Sequence, residues 1–232
     1  MSDPAATASE VERRAVVRDS LGVGVATGLY GVSFGAVATA AGLSVAQTCA
    51  LSLLMFTGAS QFALVSVLSG GGGAVAAAAA ALLLGVRNTL YGVRLTTLLG
   101  WRGRRRALAA HLVIDESTAM AVTRTSTATA RLGFLVTGGT IFLLWNLFTL
   151  LGAVAGATIG DPRSYGLDAA VGGAFLALLW PRLDSAGHRV LAIVAAAVAL
   201  GLVPLAPAGV PVLAAGGVAL LAGLLREGRS AP

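Results

Sequence analysis

The chain has 232 residues, 56% of them hydrophobic and only 11% charged, with 16 basic against 10 acidic side chains. Those proportions exclude a water-soluble domain, because every surface helix of such a domain needs a solvated face. All 16 basic residues are arginine, and their clusters flank apolar segments, which is the pattern of membrane anchoring and not of nucleic-acid binding.

Residues 1–18 are polar and carry Arg13, Arg14 and Arg18. By the positive-inside tendency they read as a cytoplasmic N-terminal tail that enters the membrane directly, with no cleavable leader. Between Asp19 and Arg87 lie 67 residues without Asp, Glu, Lys or Arg, enough for two or more crossings at about 20 apolar residues each. The first predicted span, 21–41, places Gly24, Gly28, Gly31 and Gly35 on one helix face, a groove of small residues that lets another helix approach. Gly42 is suited to end it, and Ser44 with Gln47 has the spacing of a capping box for the next helix.

The second predicted span, 45–68, contains the only cysteine, Cys49, which reads as a packing residue and cannot form an internal disulfide. Its centre is Phe56-Thr57-Gly58-Ala59-Ser60-Gln61-Phe62. Gly70 to Gly73 break the helix, and the apolar run 74–86 is either a half-span or the start of a full span that carries Arg87 and Arg94 into the bundle. Trp101 to Arg106 holds the densest charge and is expected to be cytoplasmic. The segment 107–122 is apolar but interrupted by Asp115 and Glu116.

A long span, 132–157, has Trp145 and Asn146 at its middle and Gly152, Gly156 and Gly160 on one face. A mixed-charge loop, 161–168, a short span, 169–180, and a basic stretch, 182–189, follow. The run 190–225 is long enough for two short spans around Pro204, Pro207 and Pro211, before a C-terminal tail, 227–232. If every basic flank lies inside, 74–122 holds an even number of crossings. Two discontinuous segments satisfy that and leave the Arg102–Arg106 loop inside, so they are preferred over two full spans with the loop outside. The expected fold is an all-α polytopic transmembrane bundle of about seven or eight segments, some short or discontinuous, forming one domain over 19–226. The shared glycine stripes of the first span and of 132–157 are compatible with an inverted repeat.

Polar groups at membrane depth are the candidates for function. Gly58 loosens the backbone beside Ser60 and Gln61, which could hydrogen-bond a zwitterion without placing a charge in the membrane. The competing explanation is helix packing with Gln61 as interhelical glue. Asp115 and Glu116 could carry a coupling proton or hold an ammonium group, or could pair with Arg87 or Arg94. Arg87, Asn88 and Tyr91 could meet a carboxylate, with cytoplasmic anchoring the alternative and the one favoured for Arg94. Asn146 needs a partner at mid-span, as substrate contact or as packing. His111 and His188 are far apart and show no metal-ligand spacing, and no cofactor motif is visible.

The Phe56 to Phe62 stretch resembles the Phe-x-Gly-Ala-Ser-Gln-Phe signature of the AzlC-type branched-chain amino-acid permease/exporter family, large subunit. The resemblance extends over about residues 18–225. It includes Gly31-x-x-Phe34-Gly35 in the first span, the stretch from Arg87 to Leu90-Tyr91-Gly92, and Asp115-Glu116 after a basic loop. Gly85 and Asn88 stand where members often have Asn and His. The resemblance implies ion-driven export of branched-chain and other small hydrophobic amino acids across the bacterial inner membrane. It also implies a small AzlD-type membrane partner. The candidate substrate contacts are Phe56, Gly58, Ala59, Ser60, Gln61, Phe62, Arg87, Asn88, Tyr91 and Asn146, and the candidate coupling acids are Asp115 and Glu116. A channel or a non-transporting scaffold subunit is the alternative. An enzyme is not expected, because the acid pair stands without a metal cluster, an activated nucleophile or a second catalytic acid motif.

Overall fold

The computed structural model describes residues 4–158, 176, 179–180, 183–207 and 209–230, and all the regular structure in them is helical. In chain order the helices are α1 (Pro4–Leu29), α2 (Gly31–Ala40), α3 (Val45–Leu54), α4 (Ala59–Ser69), α5 (Ala74–Leu99), α6 (Gly103–Ala110), α7 (Asp115–Val122), α8 (Thr127–Thr158), α9 (Ala186–Leu202) and α10 (Val210–Ser230). Three apolar stretches among them are long enough to cross a membrane: 10–40, 74–99 and 127–158. The protein is an all-α membrane bundle. The predicted loop 161–168 and most of the predicted span 169–180 lie outside the described residues.

Local chemistry sets the boundaries. The Ser44–Gln47 box forms: Gln47 N–H donates to Ser44 Oγ at 3.2 Å, and Ser44 N–H donates to Gln47 Oε1 at 2.8 Å. Gly42, at φ +92°, makes the left-handed turn before it. Residues 55–57 leave the helical conformation and Gly58 turns at φ +60°, so the predicted break in the second span is real and separates α3 from α4. The two apolar helices expected in 190–225 are α9 and α10, on either side of Pro204 and Pro207.

The segment 74–122 differs from the preferred reading. Ala74–Leu99 is one uninterrupted helix of 26 residues, about 39 Å long against a hydrocarbon core of about 30 Å. The discontinuity falls after it. Helices α6 and α7 have eight residues each, about 12 Å and too short to cross. Arg87 lies inside α5, as suits a good helix former, and its charge is met within the fold, as shown below. Within the polar N-terminal stretch, α1 is helical from Pro4.

The described structure falls into two compact units. The first comprises 1–39, 43–58 and 85–160. In it α1 and α2 pack along α8 through both glycine stripes. A Cβ added at Gly24 would meet Thr140, one at Gly28 Leu144, one at Gly31 the Trp145 carbonyl, and one at Gly35 the Thr149 carbonyl. From the other side, Gly152 sits against the Val32 backbone and Gly156 against Ala36 and Thr39. This is the close backbone approach that membrane helices need, since lipid supplies no hydrophobic force between them. Phe34 and Trp145 stack beside the seam, ring centroids 6.1 Å apart. Helix α7 packs on α8 with Met120 against Gly133 and Ser117 against Gly138. A cluster of Leu95, Leu99, Ala109, Ala121, Ala130 and Phe134 joins α5, α6, α7 and α8.

The second unit comprises 40–42, 59–84 and 161–232. Its described core is Val67 of α4 with Ala77 and Ala80 of α5. Gly209 sits close to Val67 and Ala76, Gly216 of α10 against Leu83, and α9 lies beside α10.

Candidate functional site

A cavity of about 540 Å³ lies within the first unit, inside the usual range of small-molecule sites. Four pieces of chain form it. The broken end of α3 supplies Leu54, Met55, Phe56 and Thr57. Helix α5 presents Gly85, Asn88, Thr89, Gly92, Thr96 and Leu99, which recur at helical spacing and form one face. Helix α6 and the turn after it add Arg106, Ala109, His111 and Val113, and α8 adds Phe134.

The break at residues 55–58 shapes one wall. The last carbonyls of α3 have no intrahelical donors and carry the negative end of the helix dipole. His111 meets one of them: its Nε2–H donates to the Leu53 carbonyl at 2.9 Å. In a neutral ring that bond leaves Nδ1 as the acceptor. The His111 ring lies 5.4 Å from Phe142 and 6.2 Å from Phe56, and Phe56 meets Phe142 edge-on at 5.1 Å. These three rings brace the loosened backbone. The turn that carries His111 is closed by Ser117, whose hydroxyl donates to the Leu112 carbonyl at 2.6 Å and accepts the Ile114 N–H at 3.2 Å.

The lower end of the α5 wall is also fixed. Gly100, at φ +63°, ends the helix, and Arg131 of α8 donates from Nε to the Leu99 carbonyl at 2.8 Å while lying over the Trp101 ring. On the wall itself, Thr96 Oγ1 donates to the Gly92 carbonyl at 2.7 Å. The Asn88 Oδ1 atom is buried and accepts no hydrogen bond from the described residues. Asn88 itself is half-buried and lines the cavity. Arg106 is exposed and supplies a cation at the rim.

The predicted site residues separate. Phe56 and Asn88 line the cavity. Gly58 makes the turn beside it. Ala59, Ser60, Gln61 and Phe62 open α4 in the second unit, with the last three buried, and do not line the cavity. Tyr91 is half-buried on α5 outside the lining. Asn146 spends its Nδ2 on the Phe142 carbonyl of its own helix at 2.8 Å, the local back-bond typical of short polar side chains. Arg87 Nη1 lies 2.7 Å from Asp115 Oδ2, so Asp115 meets the α5 arginine. Asp115 and Glu116 occupy the first turn of α7, where the helix dipole favours acids, and neither lines the cavity. Arg94 is exposed.

His111, Gly92, Thr96 and Arg106 were not among the predicted site residues. In the sequence His111 stands out only as a ring without metal-ligand spacing. A signal was available: a polar ring in a short apolar segment that follows a broken helix needs a backbone partner.

The family model described as "AzlC protein" matches residues 22–159, more than half of the chain. No curated protein and no solved structure matches it.

Proposed function

This chain belongs to the AzlC protein family, which is associated with branched-chain amino-acid transport, and on that premise we propose that it is the large subunit of a secondary transporter exporting branched-chain and other hydrophobic amino acids. The observation that carries the reading is the cavity between α3, α5 and α6, with the amide side chain of Asn88 among its apolar lining. A hydrophobic amino acid presents an ammonium, a carboxylate and an apolar side chain. Asn88 Oδ1 and the negative end of α3 suit the ammonium. Arg106 at the rim suits the carboxylate. Leu54, Phe56, Val93, Leu95 and Phe134 suit the side chain.

The proposal includes the bacterial inner membrane as the location, a cytoplasmic N-terminus, a small AzlD-type partner subunit, and an ion gradient as the driving force. Coupling is assigned to the Asp115–Glu116 pair. The buried Ser60–Gln61 segment is a second polar element that transport requires, separate from the cavity wall.

The test is counterflow of radiolabelled leucine in proteoliposomes, with and without the small partner. Counterflow is expected, and Asn88→Leu should reduce it by on the order of a hundredfold, the scale of a lost hydrogen bond to a charged group. A conductive flux without counterflow would favour a channel, and no flux under any condition a scaffold.

A further inference from the structure

We propose that Gly92 sets the size limit for the substrate side chain, so that the missing side chain on α5 is a specificity determinant of the cavity. This rests on the cavity being the amino-acid site.

Glycine in a helix interior is unfavourable relative to alanine and persists where something requires it. Two structural requirements account for many glycines here. Gly42, Gly58, Gly71, Gly100, Gly103 and Gly209 adopt positive φ. Gly24, Gly28, Gly31, Gly35, Gly152 and Gly156 would drive a Cβ into a neighbouring helix. Gly92 meets neither requirement. It lies inside α5 without positive φ, and a Cβ placed on it would find no atom within 4 Å. Gly22, Gly139, Gly201, Gly217 and Gly223 share that freedom, but none of them lines the cavity.

The empty space beside Gly92 is therefore cavity space. The neighbours on the same face are one turn away on either side: Asn88, an amide in the cavity lining, and Thr96, whose hydroxyl is tied to the Gly92 carbonyl. That bond fixes the Thr96 side chain along the wall. An amino acid whose ammonium reaches Asn88 would lay its side chain along the α5 face, over Gly92. Each carbon added at position 92 subtracts directly from the room for that side chain. A single methylene in an apolar pocket changes discrimination by about 10- to 200-fold.

The experiment compares counterflow of radiolabelled alanine, valine and leucine by the full chain, reconstituted with its small partner, as the unaltered protein and as Gly92→Ala and Gly92→Leu. Substitution should spare alanine and penalise leucine. The leucine-to-alanine rate ratio is expected to fall about tenfold or more in Gly92→Leu and by less in Gly92→Ala. An unchanged ratio in either transporting variant would overturn the proposal. Should both variants transport nothing, Gly92→Cys in a Cys49→Ala background decides. Protection of the new thiol from a small maleimide by leucine supports the assignment, and unprotected alkylation overturns it. Counterflow by the unaltered protein reports separately on the transport reading. Its absence would overturn both, whereas normal counterflow with an unchanged ratio would overturn only the role of Gly92.

Discussion

Arg87 and Asp115 hold opposite charges 2.7 Å apart, Arg87 in the middle of α5 and Asp115 at the first turn of α7, with side chains 30% and 26% exposed. The pair lets an arginine occupy the interior of a membrane-length helix and ties the short helix α7 to α5. Removing one partner leaves the other charge partly buried and uncompensated, which costs about 1–3 kcal/mol.

Arg87→Gln and Asp115→Asn are each expected to lower the amount of folded protein and its thermal midpoint, and the double variant should recover much of the loss. Fluorescence-detected size exclusion after graded heating measures this. A double variant as unstable as the sum of the singles would show that the two residues act independently.

The coupling role proposed for the Asp115–Glu116 pair is tested at Glu116. Glu116→Gln is expected to abolish accumulation driven by a proton gradient while leaving leucine-for-leucine exchange intact. Gradient-driven transport with an unchanged pH profile in Glu116→Gln would move coupling elsewhere.

Gly152→Ala tests the helix seam. The added methyl would land on the Val32 carbonyl, a backbone group that no rotamer change can move aside. A loss of about 1–3 kcal/mol is expected. Gly139→Ala, on the same helix with open space around it, should be neutral or slightly stabilising. Equal thermal midpoints for the two variants would contradict close packing of α2 on α8.

His111→Phe keeps a ring against Phe56 and Phe142 but removes the donor to the Leu53 carbonyl. Leucine transport should fall while insertion is preserved, because the broken end of α3 loses the group that holds it. His111→Gln, which can still donate, should retain more activity. Wild-type transport in His111→Phe would reduce the hydrogen bond to an incidental contact.

The Asp184–His188 pair at the start of α9 gives a pH-dependent reporter. The carboxylate lies 2.8 Å from Nδ1, and that hydrogen bond holds the Asp184 carboxyl below its ordinary value. A depressed carboxyl pKa contributes stability above the unfolded value that disappears as pH falls through the folded one. His188→Ala should therefore move the Asp184 titration upward, read by carboxyl NMR shifts. An unmoved titration would remove the cause assigned here.

Some of this protein was legible in the sequence because it depends on local chemistry. The charge-free runs require a membrane environment whatever the topology. The Ser44–Gln47 cap and the breaks at Gly42, Gly58 and Gly71 follow from residue type and spacing within one turn. The two glycine stripes could be read as packing faces from their spacing, although the sequence does not say that they face each other. That Gly35 lies against Thr149, and Gly152 against Val32, is a relation across more than a hundred residues that tertiary packing alone decides.

The same division holds for the site. Phe56 and Asn88 stood out as polar or break-associated residues at membrane depth, and both line the cavity. Charge counting favoured two discontinuous segments within 74–122, but 74–99 is one helix, and Asp115 meets its Arg87 from a segment 28 positions later. The signal at His111 does not name its partner, and Gly92 gives no local signal. One acquires its role from a carbonyl exposed by a break in another helix, the other from the absence of neighbours around its Cα. A residue's type and spacing fix what it can offer. What it meets, or leaves empty, is settled only when distant helices come together.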